Sequence, residues 1–279
     1  MARDRVEFLE LPTLTLAPSA LAPGEVGSRS VQVSVEPESG AETRLVQFAP
    51  YWYWQPSEPR SNDIEILVLD GALTINDWEM KRGGYLYLPA AAPLETMSSP
   101  KLCRVLWMVN SREDVVSEQG PEYIADICAM PWVKVPDFKG RAASETGGKV
   151  YYKMLHEDPV TTAYTLLSYK TAGWSEPRLE AHETWEELVL LDGDTLMGVA
   201  GQVLGGTYIF RTGEEPHGPQ ATRYGSVWFA RGNKRIDFDF SESAVAKRQV
   251  ERYLAPDKSL EATNLRPWGS WSQLRDQDG

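Results

Sequence analysis

Short apolar runs separated by turn residues dominate the hydrophobic pattern of this chain. Residues 65–69 and 187–191 are mainly apolar, and each run ends in an Asp-Gly pair, a strong turn signal. Residues 85–88 and 207–211 each follow a Gly-Gly pair. Residues 105–109 are a further apolar run. Many short strands between turns predict an all-β protein built as a sandwich or a barrel.

The two halves of the chain repeat each other at an offset of 122 residues. Residues 65–71 read Glu-Ile-Leu-Val-Leu-Asp-Gly, and residues 187–193 read Glu-Leu-Val-Leu-Leu-Asp-Gly. The same offset pairs Glu58 with Glu180, and it pairs Gly84 with Gly206. Strand–turn segments resemble one another in any case, but three matches at one offset favour an internal duplication.

The repeat predicts four parts of the chain. They are an N-terminal domain at 1–130, a linker at 131–148, a second domain at 149–240, and a helix with a tail at 241–279. The linker is indicated by its prolines, glycines and charges.

The C-terminal part differs from the strands before it. Val245, Val250 and Leu254 lie close to helical spacing, which predicts a terminal helix. Trp268 and Trp271 follow it, and two large aromatic side chains predict that the tail docks on the protein.

Composition and charge narrow the class of protein. The 279 residues include ten Trp and 12 Tyr, which favours β structure, and the formal net charge is −12. An acidic surface disfavours binding to nucleic acid or to an anionic membrane. The sequence has no apolar run of 18 residues and no signal-peptide core, and Cys103 and Cys128 lie far apart. We expect a reduced, cytoplasmic protein.

One stretch of the second repeat carries candidate metal ligands. In residues 180–186, alternation along a strand would place Glu180, His182 and Glu186 on one face. His217 follows in a turn with two prolines and a glycine. Two imidazoles and a carboxylate suit non-haem iron or a similar divalent ion, and three ligands leave positions open. The alternative is a solvated acidic run with surface histidines.

The spacing of this stretch resembles the cupin motifs. Gly173, His182, Glu186 and Gly193 resemble the first motif, with Glu180 where its first His would stand. Gly206, Gly213 and His217 resemble the second motif. Arg211 stands at the position of the proline in that motif, and one extra residue precedes His217.

The chain as a whole resembles bicupins related to ChrR-like and acetylacetone-dioxygenase-like cupins. The resemblance implies two tandem cupin barrels of the double-stranded β-helix, or jelly-roll, type, with a short C-terminal helix. It also implies one divalent metal, with Fe(II) favoured over Mn(II), Zn(II) or Ni(II).

The resemblance implies an Fe(II) dioxygenase that cleaves a carbon–carbon bond in a small diketone or a hydroxylated aromatic ketone. One alternative is a metal-dependent isomerase or lyase with Glu180 as base, and another is a non-enzymatic sensor of a small molecule or metal. Cupins often pair through their sheets, so we also expect a homodimer.

Several residues are open to more than one role. Glu180 is a fourth metal ligand, a residue that supports the ligands, or a general base. Arg211 pairs with a substrate anion or forms an ordinary salt bridge. Four aromatic residues are candidates for the pocket walls: Trp185, Tyr208, Phe210 and Trp228. Because side chains alternate along a strand, only some of them are expected to face inward.

The first repeat lacks the same ligands. At the offset of 122, Arg60 replaces His182 and Ile64 replaces Glu186, so we expect no such metal site there. A structural or dimerising role is one interpretation, and recognition of a ligand by Glu58 and Arg60 is the other. His156, in a turn-like setting, is predicted to lie on the surface, and the alternative is that it approaches the mouth of the second barrel.

Overall fold

The structure is a computed structural model that describes residues 3–22, 24–111, 119–135, 148–256 and 271–274. Most of its strands are short, as the turn signals predict. The first twelve are β1 (Val6–Glu10), β2 (Ala17–Ser19), β3 (Ser28–Glu36), β4 (Ala41–Phe48), β5 (Trp52–Trp54), β6 (Ile64–Asp70), β7 (Ala72–Ile75), β8 (Trp78–Lys81), β9 (Tyr85–Leu88), β10 (Met97–Ser99), β11 (Cys103–Val109) and β12 (Glu122–Ile124).

The strands of the C-terminal half follow. They are β13 (Val133–Lys134), β14 (Val150–Glu157), β15 (Tyr164–Lys170), β16 (Ser175–Glu176), β17 (Leu179–Ala181), β18 (Glu186–Met197), β19 (Gln202–Leu204), β20 (Thr207–Arg211), β21 (Gln220–Ala221), β22 (Ser226–Gly232) and β23 (Asp239–Ser241). One α-helix, α1 (Ala244–Leu254), is present in the described ranges, with 3-10 turns at Leu11–Thr13, Ile127–Ala129, Gly198–Ala200 and Ser272–Leu274.

The chain divides into two compact units. The first unit comprises Met1–Asp4, Thr13–Met130 and Leu155–Ala163, and the second comprises Arg5–Pro12, Pro131–Met154 and Tyr164–Gly279. The short N-terminal strand β1 therefore belongs to the second unit. Most of the predicted linker, residues 136–147, lies outside the described residues.

The first unit is built from two antiparallel sheets. One has the order β12-β9-β6-β11-β4-β3-β2, and the other has the order β5-β10-β7-β8. Side chains from both sheets share one apolar core, which includes Val46, Ile66, Leu73, Met97 and Trp107. Burial of this apolar surface is the main favourable contribution to folding.

The second unit is dominated by one antiparallel sheet. Its main path is β1-β20-β18-β22-β15-β14-β13, and β17 pairs separately with β23. Alternation gives β18 an inner face on which Leu188 and Leu190 join Ile209, Trp228 and Ala230 in the core. The same inner face begins at its first residue, Glu186, which brings a carboxylate to the edge of this apolar interior.

The helix α1 is confirmed, and its buried face differs from the predicted one. The side chain of Ser243 accepts a hydrogen bond from the backbone N–H of Ala246 and so caps the N-terminus. Ala246 and Val250 are buried, and Val250 packs with Leu196, whereas Val245 is 60% exposed. No helix in the described ranges is long and apolar enough to cross a bilayer.

The tail is described only in part. Trp268 lies outside the described residues. Trp271 is buried, and the indole N–H of Trp132 donates to the carbonyl of Leu274 at 2.7 Å. Residues 271–274 therefore pack within the second unit.

Candidate metal centre

The three predicted ligands come together inside the second unit. His182 lies between β17 and β18, Glu186 opens β18, and His217 lies between β20 and β21. His217 is held by a pair of backbone hydrogen bonds with Glu180, of 2.8 and 2.9 Å. Two hairpins therefore carry the two imidazoles towards one point.

The local backbone corrects one prediction. Residues 180–186 do not form one continuous strand, because β17 ends at Ala181 and a bend lies at 183–184. At this bend the carbonyl of Glu183 lies so close to Gly213 that a Cβ added there would sit 2.3 Å from it. The close passage of the His217 loop, rather than strand alternation alone, aims His182 at the cluster.

The distances suit one metal ion. Nε2 of His182 lies 3.2 Å from Oε2 of Glu186, and Nε2 of His217 lies 3.8 Å from the same oxygen. One ligand atom from each residue lies within 4.8 Å of the others, and all three residues are buried. Metal–ligand bonds of about 2.0–2.2 Å place neighbouring ligand atoms about 3–3.5 Å apart, so small adjustments suffice.

Both imidazoles present Nε2 to the cluster. Nδ1 of His182 lies 2.7 Å from the carbonyl oxygen of Thr184, and Nδ1 of His217 lies 2.9 Å from that of Glu215. A carbonyl can only accept, so each Nδ1 carries a proton, and Nε2 is the nitrogen that each ring has left to bind a metal. Both Nε2 atoms are buried and have no hydrogen-bond partner among the described residues. This arrangement is typical of metal-binding histidines.

The electrostatics of the cluster favour a charged carboxylate. Burial alone would raise the pKa of Glu186, but the contacts with His182 and His217 outweigh burial and lower it. Burial alone would lower the pKa of His182, but Glu186 outweighs it and raises that pKa. The anionic Glu186 therefore attracts a positive charge into the site, as a bound cation would provide.

Glu180 lies beside the cluster at the end of a buried polar chain. Its Oε1 lies 3.3 Å from Nε2 of His217 and accepts a hydrogen bond from the side-chain amide of Gln220. The amide oxygen of Gln220 in turn accepts from Nζ of Lys170, which lies 4.5 Å above the ring of Trp174. This chain fixes the orientation of the Glu180 carboxylate next to the predicted ligands.

Arg211 also lies close to the cluster. It is the cross-strand partner of Glu186, and it is buried. Its Nε donates to Oε1 of Glu7 in β1 at 3.0 Å. Burial would raise the pKa of Glu7, but Arg5 and Arg211 outweigh burial and lower it. Arg211 thus forms a salt bridge, and its role towards a substrate stays a prediction.

The four predicted pocket aromatics separate into two groups. Trp228 lies in the core of the second unit, and its indole N–H donates to Thr195 at 3.2 Å. Tyr208 donates its hydroxyl to Glu187 at 2.6 Å, on the face of the sheet opposite to Glu186. Phe210 alternates with Arg211 and lies 5.6 Å from Trp185, centroid to centroid. The structure therefore does not bring Tyr208, Phe210 and Trp185 to the cluster, because strand alternation turns them away.

With this geometry known, the chain can be compared with other proteins. Residues 15–238 match the family described as DUF4437, a domain of unknown function. The chain belongs to the DUF4437 family. No curated protein matches this DUF4437 chain.

Solved structures similar to this DUF4437 chain have the cupin fold. A protein from Nostoc punctiforme, provisionally named a dioxygenase, aligns with a TM-score of 0.68 at 17% identity over 86% of this chain and 87% of its own. A Cupin 2 conserved barrel domain protein from Leptotrichia buccalis gives 0.51 at 13% identity over 79% and 98%. A variant of Bacillus subtilis oxalate decarboxylase gives 0.51 at 10% identity over 84% and 79%.

These comparisons show the fold of this DUF4437 chain and no more, because the identities are low. The fold is that of the cupins. The comparisons do not support the narrower ChrR-like and acetylacetone-dioxygenase-like group that the motifs resemble.

Sequence reasoning missed three residues around the cluster of this DUF4437 chain. Gln220 and Lys170 hold Glu180, and Glu7 holds Arg211. Lys170 and Glu7 are distant from the motifs in sequence. Gln220 follows His217 by three residues, but an amide in a Gly-Pro-Gln turn carries no metal signal of its own. No local pattern could have found them.

The prediction for His156 was wrong. This residue was predicted on the surface, but it is buried in the first unit, stacked on Tyr87 with ring centroids 3.8 Å apart. Its Nδ1 lies 3.2 Å from Oε1 of Glu122. The Leu-His-Glu-Asp-Pro segment resembles a turn, yet His156 lies within β14 and the turn begins after it.

Proposed function

We propose that this DUF4437 protein is a metal-dependent cupin enzyme, a non-haem Fe(II) dioxygenase that cleaves a carbon–carbon bond in a small diketone or a hydroxylated aromatic ketone. The observation that carries the proposal is the buried convergence of His182, Glu186 and His217 with both Nε2 atoms facing the cluster. Two histidines and one carboxylate with open positions are the ligand set of non-haem iron oxygenases. The same types of donor atom also bind Mn(II), Zn(II) and Ni(II).

A ferrous ion held there would supply Lewis acidity towards a bidentate enolate or phenolate and access to oxygen chemistry. Residues of the chain hold the ligand side chains in position. Hydrogen bonds from Nδ1 keep both imidazoles in a fixed tautomer and orientation. The carboxylate of Glu186 offsets one positive charge. The ring of Phe238 lies edge-on to His182 at 5.6 Å and limits the approach of water on that side.

Arg211 is proposed to orient the anionic substrate. It lies opposite Glu186 across the β18–β20 pair, and Glu7 holds its Nε. A guanidinium has five N–H donors, so the bond to Glu7 leaves donors for a substrate oxygen. The provisional dioxygenase name of the Nostoc punctiforme protein is consistent with this proposal, as an analogy of fold.

A specific observation favours a second candidate, a metal-dependent lyase or isomerase that needs no oxygen. Glu180 is buried beside His217 and is oriented by Gln220, as a general base requires. Oxalate decarboxylase, among the similar structures, is by its name a lyase. In this alternative, Glu180 exchanges a proton with a substrate carbon or oxygen next to the metal.

Oxygen consumption separates the two candidates. Protein purified anaerobically and loaded with Fe(II) should consume oxygen in proportion to diketone or acyl-phenol cleaved. Loading with Zn(II) should abolish the reaction, because zinc has no redox chemistry. Turnover without oxygen, retained with Zn(II) and lost in Glu180→Gln, would replace the dioxygenase proposal with the lyase one.

We also infer that the two units are duplicated barrels. The order β9-β6-β11-β4-β3 in the first unit corresponds to β20-β18-β22-β15-β14 in the second. In each unit a buried Tyr donates to a buried Glu at 2.6 Å, and the pairs are Tyr85 with Glu65 and Tyr208 with Glu187. Equivalent strand orders and equivalent buried pairs support a common ancestor for both halves.

A further inference from the structure

The first unit contains a cavity of about 230 Å³ that the proposed function does not use. Its buried walls include the side chains of Trp54, Ile64 and Trp107. Glu58 and Arg60 lie at its polar side. A mostly apolar cavity with a few polar groups is the usual form of a small-molecule site. The volume, just below that of common drug-sized sites, suits a molecule with a single ring.

The cavity occupies the place that corresponds to the metal centre. At the offset of 122 residues, Ile64 stands for Glu186, and Arg60 stands for His182. The first unit therefore has a guanidinium and an apolar side chain where the second has two metal ligands. An organic ligand, rather than an ion, is the occupant that such walls favour.

Arg60 supplies a positive charge, and its known hydrogen bonds do not use all of its N–H donors. Its Nη1 donates to the carbonyl of Leu88 at 3.1 Å, and its Nη2 donates to the carbonyls of Pro89 and Ala92, both at 2.8 Å. These bonds use three of the five N–H donors of the guanidinium, which leaves the Nε–H and one Nη1–H. The carbonyls are neutral, and the ion pairs of the described residues include none with Arg60. The charge of Asp63 acts on Arg60, but that carboxylate already accepts hydrogen bonds from the hydroxyl of Tyr87 and the backbone N–H of Ala90. A bound anion would add to this partial compensation.

The carboxylate of Glu58 does not cancel this preference. Glu58 is exposed, so water and salt screen its charge, whereas Arg60 is half-buried and its field is less screened. The two indoles provide flat apolar surfaces for an aromatic ring.

We propose that this cavity binds a small aromatic carboxylate, with its ring against Trp54 and Trp107 and its carboxylate on the remaining N–H donors of Arg60. Binding is independent of the metal centre. The first unit thus acts as a ligand-binding module, in addition to any structural role.

Benzoate, benzyl alcohol and benzylamine are suitable probes, because they share a ring and differ in charge. Calorimetric titration uses the full chain carrying His217→Ala, so that benzoate cannot bind a metal in the second unit. Metal-stripped wild-type protein, freed of chelator, serves if that variant does not fold. We expect saturable binding of one benzoate per chain, with benzyl alcohol at least about tenfold weaker and benzylamine weaker still.

Arg60→Gln and Val109→Phe test the assignment, and Glu58→Gln is the control. Arg60→Gln should weaken benzoate binding about tenfold or more, and Glu58→Gln should leave it unchanged or tighten it. Because Arg60 also holds the carbonyls of residues 88–92, Val109→Phe provides a second test. Val109 lines the cavity and is half-buried, so a larger side chain there should fill the cavity and abolish binding.

Any of four results would overturn the proposal, and the first three concern the cavity itself. They are an absence of saturable benzoate binding at millimolar concentration, a preference for benzylamine, and benzoate binding that survives both Arg60→Gln and Val109→Phe. Benzoate binding that is present only in metal-loaded wild-type protein would place the ligand at the metal centre and would equally refute the cavity site.

Discussion

At the scale of single residues, the chemistry of the centre depends on which imidazole nitrogen is free to bind. In both histidines a backbone carbonyl two residues away accepts a hydrogen bond from Nδ1–H, and Nε2 is left facing the carboxylate of Glu186. The tautomer is thus set by the local chain before any ion arrives. Such preorganisation lowers the free-energy cost of binding.

His217→Ala should remove the bound metal, because two remaining ligands do not hold a divalent ion in a defined geometry. Elemental analysis of anaerobically purified protein should give about one ion per chain for wild type and close to none for the variant. His156→Ala is the matched control, since His156 lies in the first unit, and it should keep its metal. Full occupancy in the His217 variant would contradict the ligand assignment.

His156 should make the stability of the protein depend on pH. Burial lowers its pKa, but the contact with Glu122 and the charges of Glu65 and Asp158 outweigh burial and raise it above 6.5. Its stabilising contribution is therefore fully present below the unfolded-state pKa of 6.5 and is lost as pH rises through the folded-state pKa.

The measurement is the difference in unfolding free energy between wild type and His156→Phe, which can keep a ring stacked on Tyr87. This difference should be largest near about pH 5.5 and smaller near about pH 8.5. In a Glu122→Gln background the dependence should flatten. An equal difference at every pH would show that the pKa of His156 is the same in the folded and the unfolded protein.

At the scale of elements, two glycines in equivalent positions of the repeat are tightly constrained: Gly71 directly follows β6, and Gly193 lies inside β18, next to a shift in its register with β22. Gly71 and Gly193 both have positive φ, of 85° and 89°. A Cβ at Gly71 would lie 2.1 Å from the carbonyl oxygen of Leu102, and one at Gly193 would lie 1.8 Å from that of Gly225. Only glycine allows the backbones to approach this closely.

Gly193→Ala should destabilise the second unit by more than about 3 kcal/mol, because a backbone carbonyl cannot move aside without breaking the sheet. Gly173→Ala is the control. Its φ is 78°, but nothing lies within 4 Å of an added Cβ, so a cost of about 1 kcal/mol is expected. Chemical denaturation measures both. Equal costs would show that left-handed backbone conformation, and not close approach, constrains Gly193.

The elements and ligands that could be predicted are those encoded by neighbouring residues. Asp70-Gly71 and the two Gly-Gly pairs mark turns, so β6, β9 and β20 were expected from the sequence. The start of β18 was expected too, but its predicted end was wrong, because Asp192-Gly193 lies inside the strand, which continues to Met197. His182, Glu186 and His217 were found because cupin spacing is local.

Features that depend on distant parts of the chain were missed. The bend at 183–184 follows from the approach of Gly213, and the burial of His156 follows from Tyr87. The pairing of Arg211 with Glu7 joins residues 204 positions apart. Periodicity and spacing describe one segment at a time and carry no information on such contacts.

At the scale of the whole molecule, metal binding should couple to stability. An ion that binds only the folded second unit adds RT ln(1 + [metal]/Kd) to its unfolding free energy, about 2.7 kcal/mol at a hundredfold excess over Kd. Calorimetric scans with Fe(II) under anaerobic conditions should therefore show a higher midpoint than scans with chelator. His217→Ala should show no such difference. An equal metal-dependent rise in that variant would mean that the ion binds elsewhere.

The position of β1 has a consequence for folding during synthesis. The strand ends at Glu10, but it pairs with β20, whose first residue is Thr207. At about 5–20 residues per second, a ribosome needs about 10–40 s to make the intervening chain. The segment that contains β1 therefore waits for its partner strand while the first unit is made, until the ribosome has synthesised β20. During that interval it is a target for chaperones and for the wrong strand of a neighbouring nascent chain.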